Sequence, residues 1–142
     1  MVSKTINVGS NPTPGAMKYI ILLGMIFCHI VEDYGMQGIL ASMKQKKWWE
    51  ENTSNPLYKH DYIPALIEHA FEWSCMMLMP VLIWCLFMNI DWYIIIAIMV
   101  LINTIIHAFI DDLKANKFKI NLWQDQLFHL IQIIITWKIM FH

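Results

Sequence analysis

Apolar residues are concentrated in four long stretches separated by shorter polar segments. The helices predicted from this pattern span residues 17–40, 62–88, 92–113 and 122–141. The third is an almost unbroken apolar run of about twenty residues, the length that crosses the hydrocarbon core of a bilayer as a helix. The other three reach spanning length only if their polar ends lie in the membrane interface or line a cavity inside the protein. The pattern therefore predicts an all-α integral membrane protein built as a four-helix bundle.

The segments outside these stretches are polar. Residues 1–16 contain glycine and proline and predict a flexible tail. Residues 42–60 are charged and include the adjacent Trp48 and Trp49, which is typical of an interfacial loop because indole rings favour the headgroup layer. Residues 89–91 form a very short connection, so the second and third helices are expected to be antiparallel neighbours.

The composition agrees with a membrane protein. Hydrophobic residues make up 58% of the 142-residue chain, whereas soluble domains contain about 45–50%. The formal net charge is −1, so bulk charge gives no indication of nucleic-acid binding. The length suits one domain, residues 17–142. The expected partner is the lipid bilayer, and a homo-oligomer is left open.

Histidine and aspartate recur four residues apart in three of the four predicted helices. These pairs are His29 with Asp33, His107 with Asp111, and Asp125 with His129. Residues four apart lie on one helix face, and ionisable groups inside membrane segments are costly and therefore functional candidates. The second helix adds His69. Because consecutive spans alternate in direction, we expect all of these side chains at the same face of the membrane.

The chemistry of these side chains indicates a metal centre. Imidazole and carboxylate ligands suit zinc, manganese, iron or magnesium, and paired ligands on facing helices are typical of metal sites in bundles. Seven ligands exceed the need of one ion, so we predict one or two divalent ions, and two-ion sites favour hydrolysis of phosphate esters. The predicted ligands are His29, Asp33, His69, His107, Asp111, Asp125 and His129. The alternative is a network of His–Asp hydrogen bonds that joins the helices without a metal.

Three further side chains have predicted roles beside the ligands. Glu72 lies one turn beyond His69 on the same face and is the predicted catalytic general base, with a ligand or structural acceptor as the alternative. Gln37 and Gln126 are predicted to orient carboxylates from behind. Ordinary hydrogen bonding between helices is the alternative for both glutamines.

Charged neighbours of the pairs have different expected roles. Lys114 lies close to one turn beyond Asp111 and is expected to neutralise a phosphate, or else to extend towards the interface. Glu32 and Asp112 are each adjacent in sequence to a predicted ligand, about 100° away around the helix. We therefore expect both to face headgroups or solvent.

The combined spacing resembles that of a known family. The pattern consists of His29, Asp33 and Gln37, then His69, then His107, Asp111 and Lys114, and finally Asp125, Gln126 and His129. It resembles the DUF3307 family of small bacterial and phage membrane proteins over roughly residues 20–132. More distantly, it is similar to membrane-bound metal-dependent hydrolases with HxxxD helices. The resemblance implies a metal site and a bacterial or phage source, and it carries no substrate.

The lysines predict an orientation. Seven flank the face of the predicted site, namely Lys44, Lys46, Lys47, Lys59, Lys114, Lys117 and Lys119, whereas Lys4, Lys18 and Lys138 lie at the other side. Basic residues are enriched in cytoplasmic loops. We therefore expect an inner (cytoplasmic) membrane protein with its site face in the cytoplasm and both termini on the opposite side.

These observations favour a membrane-embedded, metal-dependent hydrolase of phosphoester or lipid-phosphate bonds at the cytoplasmic interface. The alternative is a non-enzymatic membrane protein, either a divalent-ion transporter or a phage-type membrane effector, that uses the His/Asp cluster as a structural or ion-binding network. A transporter should carry polar groups across the full membrane thickness. Asn103 is the one polar side chain predicted near the midplane, which favours a one-sided site.

Overall fold

The computed structural model describes residues 14–141, and every regular element in this range is helical. The α-helices are α1 (Pro14–Val31), α2 (Leu40–Met43), α3 (Lys46–Asn52), α4 (Tyr62–Met88), α5 (Tyr93–Ala115) and α6 (Leu122–Phe141). The all-helical prediction is confirmed. Most of the predicted tail, residues 1–13, lies outside the described residues.

Three stretches are long and apolar enough to cross a membrane. They are Gly15–Met36, Pro56–Met88 and Tyr93–Ala115. Helix α6 is not one of them, although its twenty residues would suffice in length, because its sequence is more polar. The structure therefore supports membrane association through three helices.

Helix α1 differs from the predicted first helix at both ends. It begins at Pro14, a residue that suits the first turn of a helix because no backbone N–H is needed there. Its α-helical part ends at Val31 and continues as a π-helical turn, Glu32–Met36. Gly38 then adopts a left-handed conformation with φ of 51°, which glycine tolerates without steric cost. The chain bends here instead of remaining helical to residue 40.

The predicted interfacial loop is partly helical. It contains α3 and a short 3-10 turn at Pro56–Tyr58, in which the side-chain oxygen of Asn55 accepts a hydrogen bond from the Leu57 N–H. The indole of Trp49 donates a hydrogen bond of 2.7 Å to the carbonyl of Met43. Its ring stacks on Tyr58, with centroids 6.2 Å apart. These contacts hold α3 close to α2, which brings a lysine to the site described below.

Helices α4 and α5 are antiparallel neighbours joined by residues 89–92. Asn89 ends α4 in a left-handed conformation, with φ of 53°. Pro80 lies inside α4, which stays helical to Met88. Gly24 of α1 faces this proline so closely that a Cβ at Gly24 would lie 3.1 Å from the Pro80 side chain.

Helices α1, α4, α5 and α6 pack around a core that is apolar at the end away from the His/Asp residues. Met25, Met77, Val81 and Met140 are among its buried members. The outer surface is also apolar, with many exposed isoleucine, leucine and phenylalanine side chains. Soluble monomers rarely expose large continuous apolar patches, so this outer surface agrees with contact to lipid.

Candidate metal centre

The carboxylate of Asp111, in α5, is surrounded by three buried histidines. Its Oδ2 lies 3.3 Å from Nε2 of His69 in α4, and its Oδ1 lies 3.2 Å from Nε2 of His129 in α6. Nε2 of His107, one turn earlier in α5, lies 3.8 Å from the same Oδ1. The three imidazoles are completely buried. Predicted ligands from three helices therefore meet at one carboxylate.

Two triads in this cluster could hold a metal ion. One consists of Asp33, His69 and His107, and the other of His107, Asp111 and His129. In each, the ligand atoms lie within 4.8 Å of one another. Ligands of a tetrahedral zinc ion, bonded at about 2.0–2.1 Å, lie roughly 3.4 Å apart. The 3.3 Å between the Nε2 atoms of His69 and His107 matches that spacing.

Sharing His107 limits how the triads are used. The imidazole nitrogen of His107 that both triads share can bind one ion only. If two ions were bound, one of them would lack this ligand, and a carboxylate shared between the two ions would replace it. Asp111 has its two oxygens turned towards different histidines, which suits a bridging carboxylate. The geometry is compatible with one or two ions.

His29 lies at the edge of the cluster and belongs to neither triad. Its Nδ1 accepts a 2.8 Å hydrogen bond from the indole of Trp73, so that lone pair is not free for a metal. The same indole stacks on His107, with ring centroids 4.1 Å apart, and His107 stacks on His129 at the same separation. Sequence reasoning missed Trp73, which holds two histidine rings in place. Its position one turn beyond His69 on α4 was the available signal.

Asp125, also predicted as a ligand, is buried beside His129, with 3.4 Å between Oδ1 and Nε2. Its other oxygen, Oδ2, forms an ion pair with Lys114. Lys114 therefore neutralises a carboxylate of the cluster in this structure. Gln126 donates a 3.0 Å hydrogen bond to Asp33 Oδ2, and Gln37 donates to Asp33 Oδ1 at 3.1 Å. Both glutamines have contacts that suit the predicted orienting role.

Glu32 and Glu72 have the opposite placements from those expected. Glu32 was expected to face headgroups or solvent, but it is buried, and its Oε1 lies 3.2 Å from Nδ1 of His69. The expectation was wrong because Glu32, three residues after His29, lies on the same helix face as His29, and so does Asp33, four residues after it. Glu72 is exposed and lines a surface pocket with Glu32 and Cys75, and no contact in the described part of the chain joins it to the metal triads. The structure does not bring Glu72 into the cluster.

Lys44 is a buried member of the cluster that the sequence did not single out. It is 5% exposed, and its Nζ lies 2.6 Å from Asp111 Oδ2. Asn116 anchors the segment, since its amide donates to the Lys44 carbonyl at 3.2 Å and its side-chain oxygen accepts from the Lys46 N–H at 2.7 Å. The sequence around Lys44 is a polar segment with several lysines and gave no local signal that this lysine is buried.

With its histidines neutral, as metal binding requires, the described cluster carries more negative than positive charge. Its acidic members are Glu32, Asp33, Asp111 and Asp125, and its lysines are Lys44 and Lys114. When ionised, four carboxylates against two ammonium groups leave two negative charges. Uncompensated charge is costly in a buried site. One divalent cation would neutralise the cluster, and two would leave it able to bind a dianion.

A second polar cluster lies deeper, between α5 and α6. Gln132 donates to the backbone and side-chain oxygens of Asn103 at 2.9 and 2.8 Å, and Thr136 donates to the same side-chain oxygen at 3.0 Å. All three are buried. The expectation that Asn103 is alone at this depth was wrong, because α6 supplies its partners. The contacts resemble the hydrogen bonds that join membrane helices.

Comparisons with known proteins give no relative. No family model, no curated protein and no solved structure matches the chain. The resemblance to the DUF3307 family therefore stays a prediction, and function has to be argued from the site.

Proposed function

We propose that this protein is a membrane-embedded, metal-dependent hydrolase of phosphoester bonds. The observation that carries the proposal is the cluster of two His/Asp triads around the buried Asp111. The cluster lies beside an open pocket whose walls include Lys44 and Lys114. Metal ligands and cations beside a pocket are the groups that phosphoryl transfer requires.

The proposed setting is a four-helix bundle in which α6 joins the three apolar spans. The outer face of α6 is apolar, as the exposed Leu127, Phe128, Ile131 and Ile135 indicate. Its polar Asp125 and His129 face the cluster instead. A helix whose polar residues are all directed into the protein or to its ends can cross a bilayer.

The proposed orientation, with the site in the cytoplasm, rests on fewer lysines than the sequence suggested. Lys44 and Lys114 are bound within the cluster, so they no longer count as loop charges. Lys46, Lys47 and Lys59, together with two lysines between α5 and α6, remain on the site face. They still exceed the lysines at the other end, which favours the cytoplasmic inner-membrane assignment.

A bound divalent ion would supply positive charge for the phosphoryl oxygens and an activated water. The protein residues then have defined tasks. The residues of one or both triads would hold the ion, while Glu32 would orient His69 through its other nitrogen, the second contact typical of metal-binding histidines. In the overall reaction, the water oxygen bonds to phosphorus, the bond from phosphorus to the ester oxygen breaks, and one of the two protons of the water ends on the released ester oxygen.

A transporter is the second candidate, because the Asn103 cluster continues the polar groups below the His/Asp site. Beyond it, however, the buried residues are apolar. Val81 lies twelve residues after His69, about 18 Å further along α4, and is packed with Cys85 and Met140 in the apolar core. A polar path across the whole bundle is therefore not supported, and a one-sided site is favoured.

The test is metal-dependent turnover by detergent-purified protein. We expect para-nitrophenyl phosphate or a phosphodiester analogue to be hydrolysed only with divalent metal, and activity to be lost in Asp111→Asn. His60→Gln alters an exposed histidine outside the cluster and serves as the matched control. A folded, metal-loaded protein without any turnover would contradict the hydrolase proposal.

A further inference from the structure

A pocket of about 300 Å³ opens beside the His/Asp cluster and combines charged and apolar walls. We name it the entrance pocket, and the residues that define it here are Lys44, Lys114, Gln37, Gln126, Phe118 and Leu122. Asp33, which belongs to one of the triads, also lines it. The pocket is therefore continuous with the candidate metal centre.

The charged part of the entrance pocket suits an anion once metal is present. The ammonium groups of Lys44 and Lys114 contact Asp111 and Asp125. A cation bound by the triad that contains Asp111 would compete with Lys44 for that carboxylate, whereas Lys114, whose side chain is 31% exposed, reaches the pocket from its pair with Asp125. A displaced ammonium group needs a new anionic partner, and phosphate oxygens are strong acceptors of charge-assisted hydrogen bonds.

The balance of charge indicates which anion fits. With neutral, metal-binding histidines and ionised carboxylates, the cluster carries two excess negative charges, so two divalent ions would leave two excess positive charges. A phosphomonoester dianion neutralises that excess, whereas a phosphodiester carries a single charge. The charges thus favour a terminal phosphate group over a bridging one.

The apolar part of the pocket lies at its rim. Phe118 is 77% exposed and Leu122 is 54% exposed, although both are large apolar residues. Phe118 also adopts a positive φ of 53°, a backbone conformation that is unfavourable for a bulky residue and that occurs at ligand-binding positions. An apolar rim around a cationic floor is complementary to an amphiphile.

We infer that the entrance pocket binds the phosphomonoester head group of an amphiphilic lipid, with Lys44 and Lys114 on the phosphate and Phe118 and Leu122 on the first part of the chain. The inference deepens the proposed hydrolase function and rests on it for the metal. A soluble phosphate offers the same head-group chemistry without the apolar chain, so the two sources can be separated by experiment.

The experiment measures binding to the full chain in detergent by calorimetry, with and without Zn²⁺ loading. Dioctanoyl phosphatidic acid and inorganic phosphate are the two probes. We expect the Zn²⁺-loaded protein to bind the lipid at least about tenfold more tightly than inorganic phosphate, because burial of methylene groups adds to affinity. Equal affinities would overturn the lipid assignment.

Two variants test the charged part and the apolar part of the entrance pocket separately. Lys114→Gln should weaken both probes by about tenfold, because a charge-assisted hydrogen bond is lost, whereas Phe118→Ser should weaken the lipid alone. Lys119→Met removes an exposed lysine from the same connection and is the matched control. Unchanged binding in folded Lys114→Gln, or in Phe118→Ser, would overturn the inference.

Turnover of phosphatidic acid is measured separately in phosphatidylcholine nanodiscs, so that the two proposals can fail independently. Lys114-dependent lipid binding without hydrolysis would contradict the proposed hydrolase function and would still support the lipid-binding site. Hydrolysis of soluble phosphoesters without selective lipid binding would leave the function and overturn the entrance-pocket assignment.

Discussion

Lys44, which directly follows α2, and Asp111 in α5 form a buried ion pair, with 2.6 Å between Nζ and Oδ2 across 67 residues of sequence. The same carboxylate is within reach of three histidines. The ammonium group therefore contacts a carboxylate that belongs to one of the two candidate metal triads. This relationship makes the stability of the metal-free protein depend on a residue from a segment outside the long helices.

We expect Lys44→Met to destabilise the metal-free protein by about 3–5 kcal/mol, because removal of one partner leaves a buried charge uncompensated. Added divalent metal should restore most of the loss, since it supplies the missing positive charge. Thermal unfolding in detergent with and without Zn²⁺ measures both effects. Lys46→Met, which removes an exposed lysine, should change stability little. An equally stable Lys44→Met variant would show that the pair does not stabilise the fold.

Metal content tests the cluster directly. We expect one or two divalent ions per chain in purified protein, measured by elemental mass spectrometry, and their loss in His107→Ala and Asp111→Ala, because His107 belongs to both triads and Asp111 contacts all three histidines. His29→Ala should retain most of the metal, since His29 lies outside the triads. Well-folded protein that stays free of metal under saturating conditions would leave only the structural network.

The two glutamates near His69 should differ in their effects. Glu32→Gln removes the charge 3.2 Å from His69 Nδ1 and should weaken metal affinity about 10–100-fold, as for other residues that orient a metal-binding histidine. Glu72→Gln alters an exposed carboxylate and should leave metal and turnover unchanged. Metal titration and phosphatase assays of both variants provide the measurement. Loss of turnover in Glu72→Gln with metal retained would restore Glu72 as the general base.

The membrane topology can be tested with single cysteines in a background that lacks the three native ones. Cysteines in residues 45–59 and 114–120 should react with membrane-impermeant reagents from the same side. The 2.7 Å hydrogen bond between Lys46 and Asn116 joins these two segments in the structure. A cysteine at position 90, in the turn after α4, should react from the other side. Labelling of the first two segments from opposite sides would refute the arrangement.

The deeper polar cluster should be structural. Gln132→Leu is expected to destabilise the protein by about 1–2 kcal/mol, within the range measured for hydrogen bonds between membrane helices, and to leave metal content unchanged. Ile131→Leu on the exposed face of α6 is a suitable control. Chemical unfolding in mixed micelles measures the difference. If Gln132→Leu instead removed metal, the two clusters would form one functional site.

The sequence predicted the long helices and the meeting of their histidines, because both depend on helical periodicity and alternating direction. It could not predict Lys44, since its burial depends on a contact with Asp111 across 67 residues. Trp73 was missed for a related reason. A tryptophan in an apolar run is expected to be an ordinary core residue. The fold is needed to show that its indole donates a hydrogen bond to His29 and stacks on His107.

The glutamates show how a local rule can mislead. Glu32 was judged by its angle to Asp33, although its angle to His29 is what directs it inwards. Glu72 was judged by its spacing from His69, but its exposure depends on which face of α4 is covered by neighbouring helices. Spacing identifies residues on one face and leaves open whether that face is buried.

The close contact between Gly24 and Pro80 links a substitution outside the cluster to the positions of the candidate metal ligands. Helix α1 crosses α4 there with no room for a side chain, since a Cβ would lie 3.1 Å from the proline ring. Gly24 precedes His29 by five residues, about 7.5 Å along the helix. A larger residue at this crossing would act as a wedge beneath the site and tilt α1, moving Asp33 relative to His69. Ligand spacing, and with it the preferred ion, could therefore be tuned from a helix crossing that contacts no ligand.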